Sequence, residues 1–137
     1  MRIFALGDPH LSLSTDKPMD IFGPNWDNHA ARLEAAWRAA VQPEDAVLLP
    51  GDISWGMSLD EAKADLAFLA ALPGTKVLLR GNHDYWWNSI SKVRAALPGG
   101  MHAVQNDSLV LGGVAVLGTR GWVCPGSTLF DPAVDQK

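Results

Sequence analysis

Ala46-Val47-Leu48-Leu49-Pro50-Gly51-Asp52 is a short apolar run stopped by a turn and followed at once by a carboxylate. Four apolar residues without alternation suit a strand covered on both faces, and Pro50-Gly51 ends it. The pattern recurs twice. Upstream, Ile3-Phe4-Ala5-Leu6 is stopped by Gly7-Asp8-Pro9; downstream, residues 76–79 run into Arg80-Gly81-Asn82-His83-Asp84. Between the first two runs, Leu33, Ala36, Trp37, Ala40 and Val41 recur at three and four residues, which predicts a helix over 28–41 ended by Pro43. Between the second and third, Ser58 and Glu61 have capping-box spacing ahead of Leu59, Ala62, Leu66 and Leu69, and Pro73-Gly74 closes that helix. Ile90, Val93 and Leu97 predict a third helix, ended by Pro98-Gly99-Gly100. Strands alternating with helices define an α/β chain whose parallel strands carry ligands beyond their carboxyl ends. All three polar motifs fall there.

The rest of the chain is less regular. Residues 11–26 are rich in Ser, Pro, Asp and Gly, without a period, and read as a long loop. Within 102–119, Ala103-Val104, Leu109-Val110-Leu111 and Val114-Ala115-Val116-Leu117 are separated by Asn106-Asp107 and Gly112-Gly113, the pattern of a hairpin or meander on the sheet. Asp131-Pro132 has the form of a helix N-cap with proline at the first helical position.

The residues at the strand ends suit metal chemistry. Asp8 and His10 leave the first strand on an extended loop, so a carboxylate and an imidazole can converge on one ion. Asp52 follows a glycine that lets the backbone turn sharply, and its two oxygens could bridge two ions. Asn82 and His83, after Gly81, add a neutral oxygen and an imidazole to the same rim. Each motif alone is weak, because an Asp after a strand is usually a turn former or a cap.

In this order, each after an apolar strand, Asp8-Pro9-His10, Gly51-Asp52 and Gly81-Asn82-His83-Asp84 resemble the first three motifs of the calcineurin-like metallophosphoesterase superfamily. Residues 51–55 and 81–87 look more like a branch of bacterial predicted phosphohydrolases than like the Ser/Thr protein phosphatases. The resemblance covers nearly the whole chain and implies the α/β sandwich of that superfamily. By position, it makes Asp8 and His10 ligands of one metal, Asp52 the bridge between two, and Asn82 a ligand of the second. His83 then faces the substrate phosphate and assists the leaving group, with Asp84 orienting it. The cofactors implied are two divalent ions, Mn, Fe or Zn, able to hold a hydroxide between them for in-line attack at phosphorus. The implied reaction is hydrolysis of a phosphomonoester or phosphodiester in a small phosphorylated substrate. The superfamily's later motifs, a lone His and a Gly-His-x-His, have no counterpart in context, so residues 1–137 read as an incomplete, apparently truncated metallophosphoesterase domain with weak or partial metal binding and little activity. A non-catalytic scaffold of the same fold is the rival class; the three intact motifs favour the enzyme. A dinucleotide-binding domain is disfavoured, since no Gly-x-Gly-x-x-Gly follows the first strand.

Composition agrees. A chain of 137 residues, 47% hydrophobic, can bury one core of ordinary size. A net charge of −4 gives no basic footprint for a nucleic-acid polymer or an anionic membrane, although bound cations can reverse the local sign at an acidic site. The lone Cys124 argues against a disulfide scaffold and fits a reducing, cytoplasmic setting; it reads as a small packed residue. The residues at the N-terminus are too briefly apolar for a signal core or a membrane span. Trp55, Trp86 and Trp87 read first as packing between loops, with a stacking wall for a ring as the alternative. His29 and His102 read as solvated or packed side chains without a role.

Overall fold

A computed structural model describes residues 1–121, 123, 125–128, 130 and 131. Cys124 and the helix expected from Asp131-Pro132 onward lie outside the described residues. Strands β1 (Ile3–Ala5), β2 (Ala46–Leu49), β3 (Thr75–Leu78) and β4 (Met101–Ala103) form one parallel sheet in the order β1-β2-β3-β4. Helices α1 (His29–Ala40), α2 (Leu59–Ala70) and α3 (Ile90–Ala96) make the three crossovers. Strands β5 (Asp107–Leu111) and β6 (Val114–Gly118) pair antiparallel as a separate two-stranded sheet.

Sequential strand order with right-handed crossovers puts every connecting helix on one face of the sheet, and the register shows which face that is. Phe4, Val47, Lys76 and Met101 are aligned across the four strands, and Leu49 and Leu78 are aligned one pleat further on. These apolar side chains join Trp37, Val41, Leu66, Leu69 and Val93 of the helical layer in the main core. Lys76 is the one cation in this row; its Nζ donates to the Leu72 carbonyl just past the end of α2, and burial holds its pKa below the ordinary lysine range. At the same end, the buried Asp45 carboxylate accepts from the Arg2 backbone N–H at 2.6 Å, the Arg2 guanidinium at 2.6 and 3.1 Å, and the Gln42 N–H at 2.9 Å.

Among the described residues the expected elements form, with differences in detail. Residues 101–103 are not the first piece of a hairpin. The left-handed Gly100 (φ 78°) turns the chain so that Met101 and Ala103 face the core and His102 faces out, which makes a fourth parallel strand beside β3. The hairpin that follows is not a continuation of the parallel sheet. The long loop contains two short 3-10 turns, Met19–Phe22 and Pro24–Trp26, separated by Gly23 at φ 125°. On α1 the predicted stripe is only partly covered: Trp37 and Val41 are buried, Leu33 is half-buried, and Ala36 and Ala40 are exposed. Leu33 and Ala36 wall an open cavity of about 560 Å³ against the loop that follows β1. The α2 cap forms as predicted on one side, with Ser58 Oγ accepting from the Glu61 N–H at 3.3 Å. The Glu61 carboxylate returns one residue further upstream than in a capping box, to the Met57 N–H at 2.7 Å.

Candidate metal centre

The loops leaving β1, β2 and β3 are drawn together by backbone geometry that most residues avoid. Asp8 (φ 57°), His10 (φ 43°) and Asp52 (φ 54°) all lie in the left-handed region, a conformation costing of order 1 kcal/mol or more per residue and persisting only where the surroundings impose it. The surroundings are specific. Asp8 N donates to the Gly51 carbonyl at 3.1 Å, His10 N to the Asp52 carbonyl at 3.0 Å and Leu11 N to the Ile53 carbonyl at 2.9 Å, while Trp55 N returns to the Leu11 carbonyl at 2.8 Å. The β2 and β3 loops approach so closely that only glycine fits at their meeting. A Cβ on Gly51 would stand 2.5 Å from Gly81 Cα, and one on Gly81 would stand 2.1 Å from Asp52 Oδ1.

Asp84 sits beneath this junction with no exposed surface. Its Oδ2 accepts from the N–H of Asp52 and of Gly81, both at 2.8 Å; its Oδ1 accepts from Ile53 N and Trp86 Nε1, both at 2.8 Å, and from Ser54 N at 3.3 Å. Five donors from two loops thus converge on one carboxylate. The orienting role that the resemblance gives Asp84 falls instead to Asp52, which takes the His83 N–H on Oδ1 and His83 Nδ1 on Oδ2, each at 2.9 Å.

Above the junction, His10, Asp52 and His83 each present a ligand atom within 4.8 Å of the others. His10 Nε2 stands 3.5 Å from Asp8 Oδ1 and 3.9 Å from Asp52 Oδ2. Asn82 Nδ2 lies 3.1 Å from His83 Nδ1, so the fourth motif residue is on the same rim. Burial pushes the His10 imidazole below its ordinary pKa, against the opposing pull of Asp52 and Asp8, which favours the neutral ring that a cation needs. Burial alone would raise the Asp52 carboxyl; the His83 bonds and the neighbouring imidazoles outweigh it and hold the group lowered. Asp8, His10 and Asp52 form a donor set of borderline hardness, suited to first-row divalent ions, with the His83 imidazole beside it. His10 also keeps a buried Nδ1 with no hydrogen-bond partner among the described residues. These residues fit a divalent cation.

Aromatic rings hold the imidazoles. Trp55 stacks on His10 with centroids 5.1 Å apart and planes at 21°, and its ring lies 4.9 Å from that of His83. Lys17 Nζ stands 5.7 Å from the Trp55 centroid and donates to the Trp55 carbonyl at 3.1 Å. Trp26 meets both His10 and His29 edge-on, and His29 Nε2 lies 3.2 Å from the Pro9 carbonyl. Trp86 and Trp87 are fully buried core residues, as the packing reading expects, whereas Trp55 belongs to the site. His29, given no role by its sequence context, braces the loop carrying Asp8 and His10; nothing in the helical pattern signals that. Asp65, on the buried side of α2, also went unmarked. The available signal was an acid placed among Ala62, Leu66 and Leu69.

The chain belongs to the calcineurin-like phosphoesterase family: residues 1–134 match that family's model. It is similar to the Gene 66 protein of Mycobacterium phage D29, 33% identical over 113 residues, which is 68% of this chain and 54% of the relative. The Gene 66 protein of Mycobacterium phage L5 is 40% identical over 58 residues, 42% of this chain and 28% of the relative. The fold resembles that of a protein of unknown function from Aquifex aeolicus, known from its crystal structure, with a TM-score of 0.53 at 18% identity over 82% of this chain and 56% of that one. The chain thus spans about half the length of the longer-matched phage relative and less of the other. Among the described residues, no helix is long and apolar enough to cross a membrane.

Proposed function

We propose that this chain carries a metal-dependent phosphoesterase centre acting on a small phosphorylated substrate. The observation that carries the reading is the convergence of His10, Asp52 and His83 donors within 4.8 Å at the ends of three adjacent parallel strands. Asp8, His10 and Asp52 would hold one divalent ion, and Asp52 and Asn82 would hold a second, drawn from Mn, Fe or Zn. When bound, such ions supply an activated water and neutralise charge developing at phosphorus. The protein's own part is positional. Asp84 and the close approach of Gly51 to Gly81 fix the Asp52 backbone, Trp55 sets the plane of His10, and Asp52 orients His83. His83, with its side chain partly exposed at the rim, is placed to exchange a proton with a leaving oxygen.

The test is hydrolysis of 4-nitrophenyl phosphate and of bis(4-nitrophenyl) phosphate by the full chain with and without added Mn²⁺. Any turnover should require the metal and fall to background in Asp52→Asn, because the carboxylate that would serve both ions loses its charge. Hydrolysis that persists in Asp52→Asn, or that ignores the metal, would remove the basis for the reading.

A further inference from the structure

Asp65 projects from α2 into the core between Ala62, Leu66 and Leu69, with no exposed surface. An apolar residue of similar size would serve packing there at less cost, since a carboxylate taken out of water must recover several kcal/mol from its partners. Neither recorded partner is a cation. Asp65 Oδ1 accepts from the Leu13 backbone N–H at 2.8 Å, and Oδ2 accepts from Ser54 Oγ at 2.5 Å. Ser54 Oγ in turn accepts from the Gly56 N–H at 3.0 Å.

Those two donors belong to different loops. Leu13 follows His10 on the segment leaving β1, and Ser54 follows Asp52 on the segment leaving β2. The segments run side by side through a parallel bridge between Leu11 and Ser54. Asp84 grips the β2 loop from the β3 side, and its bonds reach Ser54 but no residue of the β1 loop. Asp65 is therefore a buried side chain that adds to the backbone bonds already joining the His10 loop to the Asp52 loop. Its two bonds, to Leu13 and Ser54 just downstream of the left-handed His10 and Asp52, oppose relaxation of both toward ordinary backbone angles.

We propose that Asp65 is a positioning residue of the metal centre: by clamping the Leu13 N–H and the Ser54 hydroxyl it sets the separation of His10 from Asp52 and hence the affinity for divalent ions. This rests on the metal-site reading above. Groups that orient ligands without touching the ion typically account for 10–100-fold in metal affinity.

The experiment is a calorimetric Mn²⁺ titration of the full chain and of Asp65→Asn, Ser54→Ala and Asp45→Asn, each with its urea midpoint. Asp45→Asn is the control, since it alters the buried carboxylate that holds Arg2 and Gln42 at the opposite end of the sheet. Asp65→Asn should bind Mn²⁺ at least about 10-fold more weakly. Ser54→Ala should weaken it by a smaller factor. Asp45→Asn should lower the urea midpoint and leave Mn²⁺ affinity within about twofold, well inside the effect expected of a ligand-orienting group. If Asp65→Asn and Ser54→Ala change only the midpoint, as the control does, Asp65 is structural and the proposal fails. Should Asp65→Asn not fold, Ser54→Ala against Asp45→Asn decides the matter alone. Absence of Mn²⁺ binding by the unsubstituted chain would instead overturn the metal-site reading, and this inference with it.

Discussion

His83 stands at the meeting of two roles, because its Nδ1 lies 2.9 Å from Asp52 Oδ2 while part of its ring faces solvent. A ring tethered on one nitrogen by a carboxylate has a fixed plane, and the other nitrogen of His83, 3.4 Å from Asn82 Nδ2, is the one left to exchange a proton with a leaving group. His83→Ala should therefore lower turnover by about 100-fold while the metal content of the purified chain, read by elemental analysis, stays as before. Loss of metal with His83 would make it a ligand, a role its distance from Asp52 and His10 also permits. Residues at this scale were legible where a short turn ends an apolar run: Asp8, His10, Asp52, Asn82 and His83 all reach one rim. Trp55 and His29 were not, because what they touch is set by tertiary packing between segments far apart in the chain. Sequence adjacency to His83 does not reveal the five donors that reach Asp84 from below.

At the scale of elements, the junction of the β2 and β3 loops is a steric fit as much as a polar one. Gly81→Ala places a Cβ 2.1 Å from Asp52 Oδ1 and 2.3 Å from Asp52 N, neither of which can yield without moving the ligand. Metal affinity in that variant should collapse even where circular dichroism shows native helix content; unchanged affinity would mean the loops do not meet as described. Asp84→Ala leaves five buried or half-buried donors without their acceptor, so destabilisation of about 2–4 kcal/mol is expected from urea unfolding. The apolar runs and helical stripes located β1, β2, β3 and all three helices, with ends off by a residue or two. The fourth strand escaped because three residues, Met101, His102 and Ala103, are too few to show whether a segment pairs parallel with β3 or begins a hairpin. That choice depends on the α3 crossover and the turn at Gly100.

For the molecule as a whole, the Asp45 end of the sheet is sensitive to acid and the outer surface invites association. Bonds from the Arg2 guanidinium and backbone, then from Gln42, hold the Asp45 carboxyl far below its usual pKa. A carboxyl depressed in the folded state contributes stability in full above the unfolded value, near pH 4, and loses it as pH falls toward the folded one. Urea midpoints should accordingly drop on acidification below about pH 4, and Asp45→Asn should flatten that part of the profile; an unchanged slope in the variant would place the acid-sensitive group elsewhere. The second sheet poses the opposite hazard. In the hairpin register, Ser108 faces Leu117 and Val110 faces Ala115, so these four share one face. Val110 is 68% and Leu117 75% exposed there. An uncovered two-stranded apolar face favours contact with another chain. The full chain should therefore self-associate as its concentration rises, measured by sedimentation equilibrium. Replacing Val110 and Leu117 together by lysine should suppress that association. Because both side chains point to solvent, the double variant should leave the unfolding free energy from urea titration nearly unchanged, within about 0.5 kcal/mol for each surface substitution, and the Mn²⁺ affinity intact. A chain that stays monomeric without the lysines would show that this face is already compatible with water. A double variant that lost metal affinity would show instead that the hairpin reaches the metal centre.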